Sequence, residues 1–311
     1  MGQPSPTPQV TVIIATYNCS RVLRYALLSL CNQNFKDFEA WVVGDCCTDD
    51  SEQVVAGLAD PRLYWTNLPQ RGGSQCEPNN EGLRRARGKY IAYLGHDDLW
   101  FPWHLASLVQ IIEREHADFA DAGVILTGPG GPVRAYGDGR RTAQGNSTPP
   151  SGWLHRREVA EKCGPWPRPE AKPLGLDMGF QSRAFLAGFC FVPSWKMSVL
   201  KFPSHWWRTY ARHGGYPQES YWARMAEDPV KLHGQVLTEL VFAYMRLCHA
   251  PTVPQSLESA ARVLWRKFAA WYGADRWPMP QYVFWRNARH RKRATALRGL
   301  TESGDSSGDA G

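Results

Sequence analysis

The sequence predicts an α/β protein with a mostly parallel sheet flanked by helices and with a helical extension at its C-terminus. Two observations lead to this prediction. Short apolar runs alternate with stretches of helical periodicity over the first hundred residues, and the pattern from Val236 onward is helical. Strands that alternate with helices form parallel sheets through right-handed crossovers.

Four strands are predicted in the first hundred residues, at 10–15, 38–43, 62–66 and 90–94. The first run is rich in β-branched residues, which is typical of a strand in the middle of a parallel sheet. Each run is followed by residues that favour a turn or a helix start. This order is the basis of the predicted sheet.

Helical patterns separate these strands. Ser20 can cap a helix over 22–30, and Thr48 can cap the next one, with Asp49 and Asp50 in its first turn, where carboxylates suit the helix dipole. The sequence therefore predicts a helix after each of the first two strands.

Further helices are predicted over 80–87, ended by Gly88, and directly after Trp103. Residues 128–152 are rich in Gly, Pro and Ser and predict a long loop. Residues 257–272 have the spacing of an amphipathic helix, and the tail at 301–311 has a disordered composition.

Charge and cysteine usage favour a cytoplasmic protein. The N-terminus lacks the apolar centre of a signal peptide, no apolar run is long enough to span a bilayer, and the eight cysteines show no metal-type spacing.

The 36 basic residues exceed the 29 acidic ones, and a basic segment runs from Arg286 to Arg298. That segment is either a contact for an anionic surface, such as the inner face of the membrane, or a solvated helix face. Nucleic acid is not expected as a partner, since no known motif accompanies the basic residues.

Polar residues follow three of the predicted strands. They are Thr16-Tyr17-Asn18, Gly44-Asp45 and Gly95-His96-Asp97-Asp98. Ligands of open α/β sheets bind beyond the carboxyl ends of the strands, and clustered carboxylates there favour a divalent cation such as Mg²⁺ or Mn²⁺. Asp97 and Asp98 could instead cap the following helix. No phosphate-binding loop of the Walker or dinucleotide type follows a strand.

At these residues the sequence resembles the family 2 glycosyltransferases, which have the GT-A fold. The resemblance is carried by VTVIIATYN at 10–18, VVGDCCTDDS at 42–51, NEGL at 80–83 and ARGKYIAYL at 86–94. It implies a metal-dependent inverting transfer of a sugar from a nucleotide-diphosphate sugar to a glycan or lipid-linked acceptor. It also divides residues 1–235 into a nucleotide-sugar-binding half at 1–115 and an acceptor-binding half at 116–235. The helical pattern and the basic residues mark 236–300 as a helical basic extension.

The resemblance assigns the donor site residue by residue. Asp45 would accept a hydrogen bond from the N3–H of a uracil base, since a carboxylate is an acceptor only. The other residues expected to bind the donor nucleotide are Thr16, Tyr17, Asn18, Arg71, Asn80 and His96.

Asp97 aligns with the second Asp of the family's Asp-x-Asp motif and would contact a Mn²⁺ or Mg²⁺ ion on the donor diphosphate. The first Asp is replaced by Gly95, which predicts weaker metal binding. His96 fills the variable place, either as a ligand or as a surface histidine. Asp98 is expected near the acceptor or the phosphates.

Asp177 fits the family's general base, in a segment followed by Arg183, which would contact phosphate or acceptor. The alternative for Asp177 is a helix N-cap. Two other functions remain open at this point. Gly95 could mark a catalytically impaired binding or scaffold protein, and sugar nucleotidyltransferases have a similar sheet, although their Gly-rich loop is not found after the first strand.

Overall fold

Nine strands in the described part of the chain form one mixed sheet. The computed structural model describes residues 7–137, 148–167, 176–207, 209 and 216–249. The predicted amphipathic segment at 257–272, the basic segment at 286–298 and the tail at 301–311 lie outside these residues.

The N-terminal half of the sheet is parallel. It contains β1 (Val10–Thr16), β2 (Phe38–Gly44), β3 (Leu63–Asn67) and β4 (Tyr90–Tyr93), in the spatial order β3-β2-β1-β4. All four strands confirm the sequence prediction, and each end differs from it by no more than one residue. Thr16 is in register with Gly44, so β1 and β2 end side by side.

The helices of this half are α1 (Ser20–Cys31), α2 (Ser51–Gly57), α3 (Cys76–Arg85) and α4 (His104–Arg114). The predicted caps are wrong. The Asp49 carboxylate accepts the backbone N–H of Ser20 at 2.9 Å and both the N–H and the hydroxyl of Ser51, at 3.3 and 2.7 Å. Burial opposes ionisation, but these hydrogen bonds outweigh it and lower the pKa of Asp49. One carboxylate thus serves the starts of two helices, which single-site capping rules do not foresee.

The C-terminal half is mixed. It adds β5 (Leu99–Trp100), β6 (Phe119–Gly128), β7 (Gly131–Tyr136), β8 (Trp153–Arg156) and β9 (Phe191–Lys201). The order continues β4-β8-β6-β9-β5, with β8 antiparallel to both neighbours and β6 parallel to β9. The predicted loop at 128–152 is wrong for β7, because Gly131, with φ of 97°, lets the chain turn back and pair with β6.

The remaining helices are α5 (Arg157–Cys163), α6 (Leu176–Leu186), α7 (Ser204–Trp207), α8 (Gln218–Glu227) and α9 (Pro229–His249). A single 3-10 turn at Pro150–Gly152 precedes β8. α9 runs across the predicted boundary between residues 235 and 236. No helix in the described ranges has the length and apolar character needed to cross a bilayer.

Adjacent residues of β1 pack into different apolar clusters, as the period of a strand requires. Ile14 packs with side chains of α1 and α4, including Leu27 and Leu108. Ile13 packs in a second cluster that contains Trp153 and several other aromatic side chains. A parallel strand buried on both faces is continuous in its apolar character, which is why the sequence signal at β1 is strong.

Candidate functional site

A cavity of about 880 Å³ opens at the carboxyl ends of β1, β2 and β4, and the start of α6 and the end of β9 also line it. Parallel strands deliver the residues that follow them to this edge of a sheet. The residues expected from the sequence that line the cavity are Thr16, Tyr17, Asp45, Arg71, His96, Asp97 and Asp177. Three carboxylates from separate segments therefore face one space.

Asp45 lies directly after β2 and is only 4% exposed. Its two carboxylate oxygens accept the backbone N–H groups of Gly72 at 2.7 Å and Gly73 at 2.9 Å. These bonds fix the carboxylate in the cavity wall, and an ionised carboxylate has lone pairs left for a further donor. In the same wall, the guanidinium of Arg71 lies over the ring of Tyr17, 4.0 Å from its centroid.

Asn18 and Asn80 are not among the cavity-lining residues, and both have other partners. The Asn18 side chain accepts the N–H of Thr48 at 2.8 Å and donates to its hydroxyl at 3.3 Å. The Asn80 side chain accepts the N–H of Trp166 at 2.7 Å and donates to its carbonyl oxygen at 3.1 Å. Asn79, the residue before Asn80, lines the cavity instead.

Thr16 and His96 are both lining residues of the cavity. The hydroxyl of Thr16 is buried without a hydrogen-bond partner among the described residues, which is unusual for a buried polar group. Nδ1 of His96 lies 3.0 Å from the carbonyl oxygen of Ala15, so this nitrogen donates and the ring orientation is fixed.

Asp98 is fully buried and does not line the cavity. Its Oδ2 accepts the Ser151 hydroxyl at 2.5 Å and the Lys201 ammonium at 2.9 Å, and its Oδ1 accepts the N–H of Phe202 at 3.3 Å. Lys201 lines the cavity from the end of β9, and its side chain is 27% exposed. Burial alone would lower the pKa of Lys201, but the charges of Asp98 and Asp97 raise it above its ordinary value.

The segment from Gly95 to Asp98 offers a divalent cation a single carboxylate. Mg²⁺ and Mn²⁺ prefer several oxygen ligands. Within this segment only the Asp97 carboxylate lines the cavity, because Asp98 is bonded to Lys201. A side chain at Gly95 has no room, since its Cβ would lie 2.6 Å from Oδ2 of Asp98. Among the residues that the structure describes, no three His, Cys, Asp or Glu side chains converge in a metal-binding cluster.

Asp177 lies in the first turn of α6 and lines the cavity. Its Oδ1 accepts the side-chain N–H of Gln75 at 2.6 Å. Burial raises the pKa of Asp177 above the usual carboxyl value, while the charge of Lys201 and the bond from Gln75 act in the opposite direction. A half-buried carboxylate with a raised pKa is suited to accept a proton.

Arg183 is not among the cavity-lining residues. Its Nε donates to the carbonyl oxygen of Cys163 at 2.9 Å, and its Nη2 donates to that of Pro165 at 2.7 Å. These bonds tie α6 to the end of α5.

The sequence profile of glycosyl transferase family 2 matches residues 11–162. The matched residues, about half of the chain, are similar to members of that family. The matched range begins in β1, contains Asp45 and Asp97, and ends within α5, so it covers the base of the cavity.

Three known glycosyltransferases illustrate the relationship. The GalNAc(5)-diNAcBac-PP-undecaprenol beta-1,3-glucosyltransferase of Campylobacter jejuni is 36% identical over 113 residues, covering 35% of this chain and 36% of that protein. The structure of Staphylococcus aureus TarS 1–349 in complex with UDP-GlcNAc matches with a TM-score of 0.56 at 20% identity. The match covers 76% of this chain and 72% of the TarS chain. The mannosyltransferase PcManGT of Pyrobaculum calidifontis, in complex with GDP-Man and Mn²⁺, has a TM-score of 0.52 at 17% identity, with 96% and 88% coverage.

The two structural likenesses confirm the predicted GT-A fold. The sequence relationship is more local, since the chain spans about a third of the length of its curated relatives.

The polar side chains of the cavity that sequence reasoning missed include Gln75 and Lys201. Gln75 follows Gly72 and Gly73 by a few residues, so its proximity to the loop that holds Asp45 was a usable signal. Lys201 had none. It reaches Asp98 because β9 pairs with β5, which directly follows Asp98, and that pairing joins segments about a hundred residues apart.

Proposed function

We propose that this protein is an inverting glycosyltransferase that moves a sugar from a nucleotide-diphosphate sugar, with UDP as the nucleotide, to a hydroxyl of a glycan or lipid-linked acceptor. The observation that carries the proposal is that Asp45 and Asp177, which lie far apart in the sequence, line one cavity. The volume of about 880 Å³ lies in the range of small-molecule sites.

The wall formed by Asp45, Thr16, Tyr17 and Arg71 is the proposed nucleotide end. Asp45 keeps acceptor capacity beyond its two backbone bonds, so it can accept the N3–H of uracil. Arg71 supplies a positive charge near the nucleotide.

Asp177 is the proposed general base. As the acceptor oxygen attacks the anomeric carbon, its proton passes to the Asp177 carboxylate. The bond between the anomeric carbon and the β-phosphate oxygen breaks, and its electron pair leaves with the nucleoside diphosphate. Attack from the face opposite the leaving group inverts the anomeric configuration. No step in this scheme is assigned to a metal, since the Gly95–Asp98 segment supplies a single carboxylate to the cavity.

The acceptor class follows from the relatives. The Campylobacter jejuni protein is named for an undecaprenol-linked acceptor, and the proposed acceptor here is likewise a surface glycan or a lipid-linked glycan. Contact between the basic segment at 286–298 and the inner face of the membrane stays a prediction from the sequence.

The test is a thermal-shift screen of UDP-, GDP- and dTDP-linked sugars. A ligand present at a hundred times its dissociation constant stabilises the native state by about 2.7 kcal/mol, which raises Tm by roughly 5–10 °C in a domain of this size. We expect such a shift for a UDP-sugar, and we expect Asp45→Ala to abolish it.

Asp37→Ala is the matched control, since Asp37 is exposed and outside the cavity lining. A shift by no sugar nucleotide would contradict the proposal. Binding without turnover, in a protein supplied with undecaprenol-diphosphate glycans, would favour the scaffold alternative raised by Gly95.

A further inference from the structure

Lys201 places a fixed positive charge in the wall of the cavity. Its ammonium donates to Asp98 at 2.9 Å, and an ammonium has three N–H groups. Asp98 is also satisfied by the Ser151 hydroxyl and the Phe202 N–H, so its charge does not depend on Lys201 alone. Because Lys201 lines the cavity, it can donate to a ligand there while it stays bonded to Asp98.

Gly95 and Lys201 are linked by geometry. A Cβ at position 95 would lie 2.6 Å from Oδ2 of Asp98, the oxygen that holds the ammonium, and 3.2 Å from Oγ of Ser151. An acidic residue at 95 would therefore displace the Asp98–Lys201 pair. The absence of an acidic residue at position 95 also leaves one negative charge fewer around an incoming diphosphate.

We propose that the Lys201 ammonium binds the β-phosphate of the donor and does there the work of a divalent cation. This inference rests on the proposed function. As the bond to the anomeric carbon breaks, the β-phosphate gains an electron pair and a negative charge. A preorganised cation beside that oxygen stabilises the developing charge without needing to be recruited from solution. The raised pKa of Lys201 keeps the amine protonated at neutral pH.

The competing explanation is that Lys201 only neutralises the buried Asp98. Lys201→Met alone cannot separate the two, because it leaves a buried carboxylate without its cation and could unfold the protein. Lys201→Met combined with Asp98→Asn removes both charges. The asparagine keeps one oxygen to accept the Phe202 N–H, and its amide N–H can donate to the Ser151 hydroxyl oxygen. If Lys201 is only structural, this double variant binds nucleotides normally.

The experiment is calorimetric titration of UDP and UMP in EDTA. These ligands differ in the β-phosphate alone. We expect the unaltered protein to bind UDP equally well in EDTA and in MnCl₂. We expect the double variant to lose about tenfold or more in UDP affinity, the size of a charge-assisted hydrogen bond, and to keep its UMP affinity within about threefold. Lys196→Met, an exposed lysine on the same strand, should change neither affinity.

Two results would overturn the inference while the proposed function stands. One is UDP binding that disappears in EDTA and returns with MnCl₂. The other is a double variant that binds UDP as tightly as the unaltered protein. If GDP or dTDP proves to be the preferred diphosphate, the same comparison is made with its monophosphate. If no nucleoside diphosphate binds under any condition, the proposed function itself fails.

Discussion

At the scale of single residues, the environment of Asp177 sets what this carboxylate can do. Burial disfavours its charged form, whereas the N–H of Gln75 and the charge of Lys201 favour it. The balance leaves the pKa raised, so the group is a stronger base than an exposed carboxylate. The raised pKa of a general base moves the acid limb of the pH–rate profile to higher pH.

The first prediction concerns that pH dependence. Because the ionised form accepts the proton, kcat/KM should fall as pH decreases through the pKa of Asp177, and this acid limb should lie above the ordinary Asp value of about 3.9. Gln75→Leu removes a hydrogen bond to the ionised form, so the limb should move to higher pH. The position of this limb is measured from pre-steady-state or steady-state rates across a pH series.

Asp177→Asn should lower the rate by roughly 10²- to 10⁴-fold, with donor binding unchanged. Gln53→Leu, an exposed glutamine on α2, is the control for Gln75. A limb that Gln75→Leu leaves in place, or a normal rate for Asp177→Asn, would show that the base is another group.

At the scale of elements, the contact between α3 and β1 explains a glycine in the middle of a helix. A Cβ at Gly82 would lie 2.4 Å from Cγ2 of Ile13, a side chain with no solvent exposure. The helix can approach the strand closely only because position 82 has no side chain. This approach brings α3, with Asn79 near its start, to the cavity at the end of β1.

Gly82→Ala should therefore destabilise the protein, although alanine favours helices. Overpacking of a filled core costs about 1–3 kcal/mol, which exceeds the gain of about 1 kcal/mol in helix propensity. Gly234→Ala in α9 is the matched control, since a Cβ there meets nothing within 4 Å, and it should be neutral or stabilising. Urea unfolding measures the free energy of unfolding of both variants. Equal free energies for Gly82→Ala and Gly234→Ala would mean that α3 shifts freely against β1.

The elements also show how far sequence reasoning reaches. β1 to β4 were predicted to within one residue at each end because buried parallel strands are short, continuous apolar runs between clear helical patterns. β7 was missed because its six residues, Gly131–Tyr136, lie in a stretch rich in Gly and Pro, whose composition is typical of loops. In the site, Asp45 and Asp97 could be found because they follow strands directly. Lys201 could not, because its position depends on the pairing of β9 with distant strands.

At the scale of the whole molecule, two histidines are fully buried and neutral. His104 stacks on Trp100, and its Nδ1 lies 2.8 Å from the Ser198 hydroxyl. His155 lies among aromatic rings, with its Nε2 3.2 Å from the Tyr93 hydroxyl. Burial lowers the pKa of His104 to about 3 and that of His155 to about 4. Neither side chain can take up a proton at mildly acidic pH without losing its place in the core.

The free energy of unfolding should therefore fall on acidification. Between about pH 6.5 and pH 4 the unfolded chain binds protons at both histidines and the folded chain does not, so stability decreases as pH drops. Each group contributes a slope of up to about 1.4 kcal/mol per pH unit. Urea unfolding at several pH values measures this slope.

His104→Phe should reduce that slope by about one proton's contribution, whatever its effect on stability at neutral pH. His116→Asn is the control, because His116 is exposed and asparagine tolerates its backbone φ of 49°. This substitution should leave the slope unchanged. Parallel slopes for His104→Phe and the unaltered protein would mean that His104 titrates normally in the folded state.

The anchoring of Asp45 has a consequence for the speed of ligand capture. Its carboxylate is tied to two consecutive amides of the loop at Gly72 and Gly73 before any ligand arrives. A recognition surface that is already ordered loses little conformational entropy when it is occupied. Association should then be a single encounter step without a slow rearrangement, and the lifetime of the complex should set its affinity.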